Sequence, residues 1–415
     1  MAIFCVLSIL DTRPPPTFQE TVLEGPAQQS SATVTRNDVI YLDNNSTTPL
    51  DPAVVDAMLP YFTTKFGNPS NPAHDYGLEA ARAVERARSQ VAHLIGSEGK
   101  EILFTSGATE SNNLAILGVA RASRSRGNHV VTTVIEHKAV LNPCKQLERE
   151  GMRVTYLPVD RTGFVSANAV AEAVTDHTVL VSVMAANNEV GTIQPIRDIG
   201  CLCKERGVLF HSDAVQALGK IPFNVEELGV DLLSISGHKM YGPKGVGALY
   251  IRSRNPAVQL EPIVYGGGQE RGLRSGTVAV PSVAALGVAC ELAEGHLASE
   301  PSRLRTLRDR LLSRLLSAIP TALVHGQQDN SLPGLLNLGF PGVDGDDLIH
   351  CLTGVAVSQG SSCSAGSFEP SHVLRAIGVS DELARASLRF GIGRFTTEEE
   401  IDQAVDIVAN VIARL

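Results

Sequence analysis

Apolar residues recur along this chain in two alternating rhythms. In GLEAARAVERARSQVAHLIG, residues 77–96, they fall at three- and four-residue steps and stop at Gly96, a C-cap residue, which predicts an amphipathic helix. SNNLAILGVARAS, AVLNPCKQLEREG and IRDIGCLCKERG predict further helices. Between them lie apolar, β-branched runs: EILFTSG, HVVTTVIEH, MRVTYLPVD, TVLVSVMAANNEVG, GVLFHSDA and DLLSISGHK. These predict strands, and a short strand is predicted at VIYLD. Strands alternating with helices predict an α/β fold whose mostly parallel sheet is covered by helices on both faces.

The texture changes at both ends. Residues 11–36 hold Pro14, Pro15 and Pro16 with several Gln and Ser and no periodicity, so residues 1–37 read as a flexible leader. After about residue 280, VPSVAALGVACELAEGHL and PSRLRTLRDRLLSRLLSAI predict long helices. Fewer, shorter strands follow, such as GLLNLGF and SLRFGIG. A second, smaller α+β domain is expected there, and no internal repeat is visible.

Composition narrows the class. At 415 residues, 43% hydrophobic and 19% charged, the chain matches a soluble globular protein of two domains. A net charge of −9 supplies no basic field for nucleic acid. No run reaches the roughly 18 apolar residues of a membrane span. The opening MAIFCVLSIL has no basic residue before its apolar stretch and Arg13 is the first cation, so no secretory signal is expected. The seven cysteines are scattered without a C-x-x-C pair, which argues for free thiols in a cytoplasmic protein and against a zinc site; no metal is expected.

Candidate chemistry collects at strand ends. SGATESNN, EHK, NNEVG, SDAVQ and SGHK each follow a predicted strand. Open α/β sheets bind ligands beyond the carboxyl ends of their strands, so five such motifs suggest one composite site. Gly107-Ala108-Thr109 suits either a simple N-cap or an anion cradle. Asp213 suits either an ordinary cap or a partner for a protonated pyridine nitrogen, with Gln216 on the next turn. Lys239, beside Ser236 and His238, is a Schiff-base candidate, whereas Lys244 fits a solvated surface group. His137 suits a core histidine, or a ring that stacks and moves protons. Cys363 lies in QGSSCSAGSFEP, a small, polar setting that predicts a mobile loop and a reactive thiol.

Taken in order, YLDNNSTTP, SGATESNN, EHKAV, NNEVGTIQPI, HSDAVQ, SGHKMYGPKG, RSGT, GSSCSAGS and LRFGIGRFTTEEEID resemble the cysteine desulfurases. These are class V aminotransferase relatives among the fold-type I enzymes dependent on pyridoxal 5′-phosphate. The resemblance runs from about residue 39 to 415. It implies removal of sulfur from L-cysteine, giving L-alanine and a persulfide on Cys363. It implies that Lys239 links to the cofactor, Asp213 pairs with the pyridine nitrogen, Gln216 donates to the ring oxygen and His137 stacks on the ring. Ala108, Thr109, Ser236 and His238 match cofactor and phosphate binders. Thr277, in RSGT, matches a phosphate contact given by a neighbouring subunit, hence a homodimer. Asn188 and Arg389 match residues that hold the substrate carboxylate. The expected organisation is a large cofactor domain at 50–298 and a small domain built from 38–49 and 299–415 that carries the cysteine loop.

Within that family, the segment from Val357 to Arg375 resembles the group with the longer cysteine loop. The chain stops at Leu415, where members that dock an iron–sulfur scaffold often carry a further tail, so the resemblance does not extend to docking by that route. A sulfur-acceptor protein is an expected partner, with iron–sulfur assembly and thiolation as candidate destinations. A selenocysteine lyase, another class V lyase or an aminotransferase are the alternatives of the same fold. A non-catalytic protein that keeps the fold would have lost Lys239, Asp213, His137 and Cys363, all of which are present.

Overall fold

A computed structural model describes residues 39–255, 257–359 and 369–415. The leader and Cys363 lie outside the described residues, as does Cys5.

Strand β1 (Ile40–Tyr41) opens the described chain. Seven strands then build the main sheet: β2 (Ile102–Thr105), β3 (His129–Thr133), β4 (Arg153–Leu157), β5 (Thr178–Ser182), β6 (Leu209–Asp213), β7 (Leu232–Ser236) and β8 (Gly247–Ile251). Their order is β2-β8-β7-β6-β5-β3-β4. Every pair from β7 to β4 is parallel, while β8 runs antiparallel to both its neighbours. The predicted parallel sheet is therefore present, with β8 as an addition that the pattern of apolar runs did not reveal. Six of the seven strands are buried at every residue and only the edge strand β4 is largely part-exposed. Burial on both faces is why these segments read as unbroken apolar runs.

The helix predicted at 77–96 spans Asp75–Leu94. It buries Ala80, Ala83, Val84, Ala87 and Val91 at helical spacing, and Gly96 follows it at φ 68°. Val283, Leu286 and Cys290 of the helix Val280–His296 share a core with Ala87, Val91 and the sheet residues Phe104, Phe210 and Leu233. A second core joins Ile40 and Leu42 to Leu307, Leu311, Leu388 and Val405. It is organised by the antiparallel strands β9 (Leu323–His325), β10 (Leu335–Gly339) and β12 (Ser387–Gly391), in the order β12-β10-β9. Strand β11 (Val355–Ala356) pairs in parallel with β1. Residues 39–43 thus pack with the C-terminal third of the chain, which brings Asp43–Thr48 to the carboxyl ends of the main sheet.

Candidate active site

A cavity of about 510 Å³ opens at the carboxyl ends of β2, β3, β5, β6 and β7. That is the size of a small-ligand site. All five strand-end motifs reach it: Ser106–Glu110 and Asn112 after β2, His137 after β3, Asn188 after β5, Asp213 and Gln216 at β6, and Ser236, His238 and Lys239 at β7. Ser46 and Thr47 close the wall from the N-terminal segment. The sequence motif that contains them carried no assigned role.

Lys239 follows β7 on a single 3-10 turn, Gly237–Lys239. Its side chain is buried, with Nζ donating to the backbone carbonyls of Asn45 at 2.6 Å and Ser46 at 2.5 Å. His238 stands beside it with Nδ1 3.1 Å from Thr47 Oγ1. Burial, with Lys239, Lys244 and Lys220 nearby, pushes the His238 pKa down to about 4, so the ring is neutral near pH 7. Lys244 is exposed, in agreement with its reading as a surface group, yet it sits on the cavity rim.

Asp213 is buried at the end of β6. Asn112 Nδ2 donates to its Oδ2 at 2.7 Å, and the Val215 amide donates to Oδ1 at 3.1 Å. The Asn112 contact was not foreseen. It spans 101 residues, and its helix gives no local sign of it. Gln216 Oε1 accepts from Asn45 Nδ2, and Gln216 Nε2 donates to the Asn45 carbonyl, each at 2.9 Å. His137 is the N-cap of the helix Lys138–Arg149. Its Nδ1 accepts from the Ala139 amide at 3.1 Å, so a neutral ring carries its proton on Nε2.

The helix Ala108–Ala122 starts at the cavity wall. Gly107, its N-cap, supplies no side-chain acceptor for the first amides. Its φ is 147°, and a Cβ built there meets no atom within 4 Å. The result is a helix start with open space and unfilled donors, which suits a phosphate. Glu110, on the first turn, is engaged elsewhere: it accepts from Ser106 and from Arg274 Nε at 2.7 Å. That ion pair ties the RSGT segment to the cavity edge.

Two of the residues expected at the site do not line the cavity. Thr277 is exposed on the surface. Arg389 is 1% exposed on β12; it donates to Asp43 Oδ1, Ser46 Oγ and the Asn188 carbonyl, at 2.9, 2.6 and 2.9 Å. It touches the wall through Ser46 and Asn188. Asn187 fixes that turn: its Oδ1 accepts the amides of Glu189 and Val190 at 2.8 and 3.0 Å.

A buried polar group adjoins each of two lining residues, after Asn188 and before His137. Glu189 accepts from Ser371, and burial pushes its carboxyl up to about 7. Glu136, before His137, accepts from Thr133 Oγ1 and the Met184 amide at 2.9 Å each. Burial holds Glu136 at about 8.

Residues 40–404 match the family model described as Aminotransferase class-V. The chain belongs to this family. Among class-V relatives, the cysteine desulfurase IscS of Rickettsia typhi (strain ATCC VR-144 / Wilmington) is 54% identical over 376 residues, 91% of this chain and 92% of the relative. A solved NifS-like protein superposes with a TM-score of 0.85 at 41% identity, over 91% of this chain and all of that one. A structure described as SspA in complex with cysteine superposes with a TM-score of 0.75 at 38% identity, over 86% and 99% of the two chains. The class-V fold is thus shared along nearly the whole described chain. Among the described residues no helix is long and apolar enough to cross a membrane.

Proposed function

We propose that this class-V enzyme is a cysteine desulfurase that uses pyridoxal 5′-phosphate, converting L-cysteine to L-alanine and leaving a persulfide on Cys363. The observation that carries the reading is Lys239 in the wall of a cavity it shares with Asp213, His137, Gln216 and an uncapped helix start. Those residues fit the cofactor: an amine for its aldehyde, a carboxylate for its pyridine nitrogen, an amide for its ring oxygen and free backbone donors for its phosphate. The names of the relatives supply the substrate.

When bound, the pyridoxal ring supplies a sink for the electrons at the substrate Cα. Asp213, oriented by Asn112, keeps the pyridine nitrogen protonated. Ala108, Thr109, Ser236 and neutral His238 hold the phosphate without adding a titrating charge. Lys239 Nζ takes and returns the Cα proton, moving away from the Asn45 and Ser46 carbonyls to do so. His137, with its proton on Nε2, covers the ring and donates from that atom. Asn188 and Arg389 hold the substrate carboxylate, and Ser46 lies beside them. Cys363, as a thiolate, attacks the substrate sulfur; the S–S bond forms as the C–S bond breaks, the electron pair of that bond stays with the substrate carbon, and a proton added at Cβ completes the methyl group of alanine.

The described residues on either side of Cys363 support this role. Ser358 Oγ is 3.3 Å from Ser46 Oγ, and His372 Nε2 is 3.0 Å from the Glu136 carbonyl beside His137. Both ends of the segment therefore meet the site.

Thr277 of a second copy completes the phosphate contacts in a homodimer, which its exposure permits. Residues 38–49 with 299–415 act as a small domain against 50–298. The persulfide passes to an acceptor protein in the cytoplasm, for iron–sulfur assembly or thiolation.

Lys239→Ala should abolish the visible absorbance of the bound cofactor. Cys363→Ala should keep that absorbance and release no sulfide from cysteine. A Cys363→Ala enzyme that desulfurates at the native rate would end the persulfide reading.

A further inference from the structure

Behind Lys239 lies a second, much smaller pocket of about 20 Å³, room for a single water. Lys239 is common to the walls of both spaces and so forms the partition between them. Lys220 lines only the rear pocket, together with Asn45 and Glu300. Its Nζ donates to Gln216 Oε1 at 2.9 Å. This lysine is also one of the charges near His238.

Counting donors and acceptors shows what Lys220 does to Gln216. An amide oxygen has two lone pairs, and here one takes Asn45 Nδ2 and the other Lys220 Nζ. Both acceptor sites are filled from the rear. The Nε2 group must then face the other way. One of its hydrogens goes to the Asn45 carbonyl, and the second is left for an acceptor in the cavity. The same Asn45 carbonyl accepts Lys239 Nζ, so one peptide group joins the two lysines through Gln216.

We propose that Lys220 is a positioning residue of the cofactor site: it locks the Gln216 amide with its donor toward the cavity, and its charge, held behind Lys239, weakens the hold of the Lys239 nitrogen on a proton. The inference rests on the cofactor reading above. Charges facing Lys220 come from each packed element. Lys239 follows β7 and Arg389 lies on β12, both cations; Glu300 starts the helix Glu300–Ala318 and already accepts from Arg394 Nε at 3.0 Å. Arg394 also engages Asp51. Glu300 is thus paired with Arg394 as Arg389 is with Asp43, and the two cations facing Lys220 outweigh the one carboxylate. Burial, reinforced by Lys239 and Arg389, brings the Lys220 ammonium down to about 7, the sign expected of such a site.

The test titrates the visible band of the cofactor-loaded protein against pH. Lys220→Met should move the midpoint upward by roughly 0.5 to 1 unit, since both the rear charge and the fixed amide are lost. Lys220→Gln, which is neutral, should move it the same way and carries the test if the Met variant fails to fold. Lys220→Arg should restore a midpoint near the wild-type value. A midpoint in the neutral variants that coincides with wild type overturns the proposal, as does an Arg variant that shifts with them. A wild-type protein with no visible band on adding pyridoxal 5′-phosphate would instead overturn the cofactor reading itself, which separates the two failures.

Discussion

Asn112 Nδ2 lies 2.7 Å from Asp213 Oδ2, and both side chains are buried where the start of one helix meets the end of β6. The amide points its donor at the carboxylate, while its own Oδ1 has no hydrogen-bond partner. Asn112 is thus spent on fixing one acid.

That contact can be tested. Asn112→Ala should lower kcat/KM about tenfold or more, because a hydrogen bond to a charged group contributes about 1.5–3 kcal/mol. Asn112→Asp should be worse, since it sets a second carboxylate against Asp213 and forces one of the pair to take a proton. Steady-state kinetics with cysteine, alongside the cofactor dissociation rate, checks both.

Glu136 makes a prediction about stability. Its folded pKa of about 8 lies above its unfolded value, so the folded state binds the extra proton between the two. Stability from this group is fully present below about pH 4.3, the unfolded value, and is lost as pH rises toward 8. Glu136→Gln keeps an oxygen for Thr133 and Met184 and cannot ionise. Relative to wild type it should gain by about 1.4 kcal/mol per pH unit across that window. Urea unfolding at pH 5 and pH 8 measures the difference; curves that stay parallel for the two proteins would refute it.

Arg389→Lys tests the buried guanidinium. Lysine keeps the charge but cannot serve Asp43, Ser46 and the Asn188 carbonyl together. Loss of that arrangement should cost roughly 3 kcal/mol of stability. It should also raise KM for cysteine more than it lowers kcat. Thermal unfolding and a KM-against-kcat comparison read the two effects separately.

The five thiols among the described residues should divide cleanly. Burial pushes Cys144, Cys203 and Cys290 up to about 12, whereas Cys201 and Cys351 are exposed. In folded Cys363→Ala, an alkylating reagent should label Cys201 and Cys351 within minutes and leave the three buried thiols untouched until denaturant is added. Peptide mass mapping gives the result.

Much of this was legible in the sequence because buried parallel strands must be apolar throughout while their carboxyl ends turn polar. Ser236, His238 and Lys239 could be placed together from that contrast alone, and so could Asp213 and Gln216. Strand β8 was not among the predicted strands, and an apolar run such as GALYI has no polarity of travel to show that it runs against its neighbours. Asn45 escaped for another reason: its partner lies across the fold, with 171 residues separating it from Gln216, and no local spacing encodes such a contact. Lys220 lies only four residues from Gln216, but a lysine at that spacing reads as an ordinary surface group. The setting of Arg389 just behind the cavity wall was not legible either, because Asp43, 346 residues away, supplies a carboxylate that the pattern could not pair with it.

The carbonyls that receive Lys239 come from residues 193 and 194 positions earlier, and Arg389 fastens that same stretch from near the other end of the chain. A nascent polypeptide that has not yet released β12 cannot finish this arrangement. A truncated product missing β12 would lack the guanidinium that fastens Asp43 and Ser46 behind Lys239.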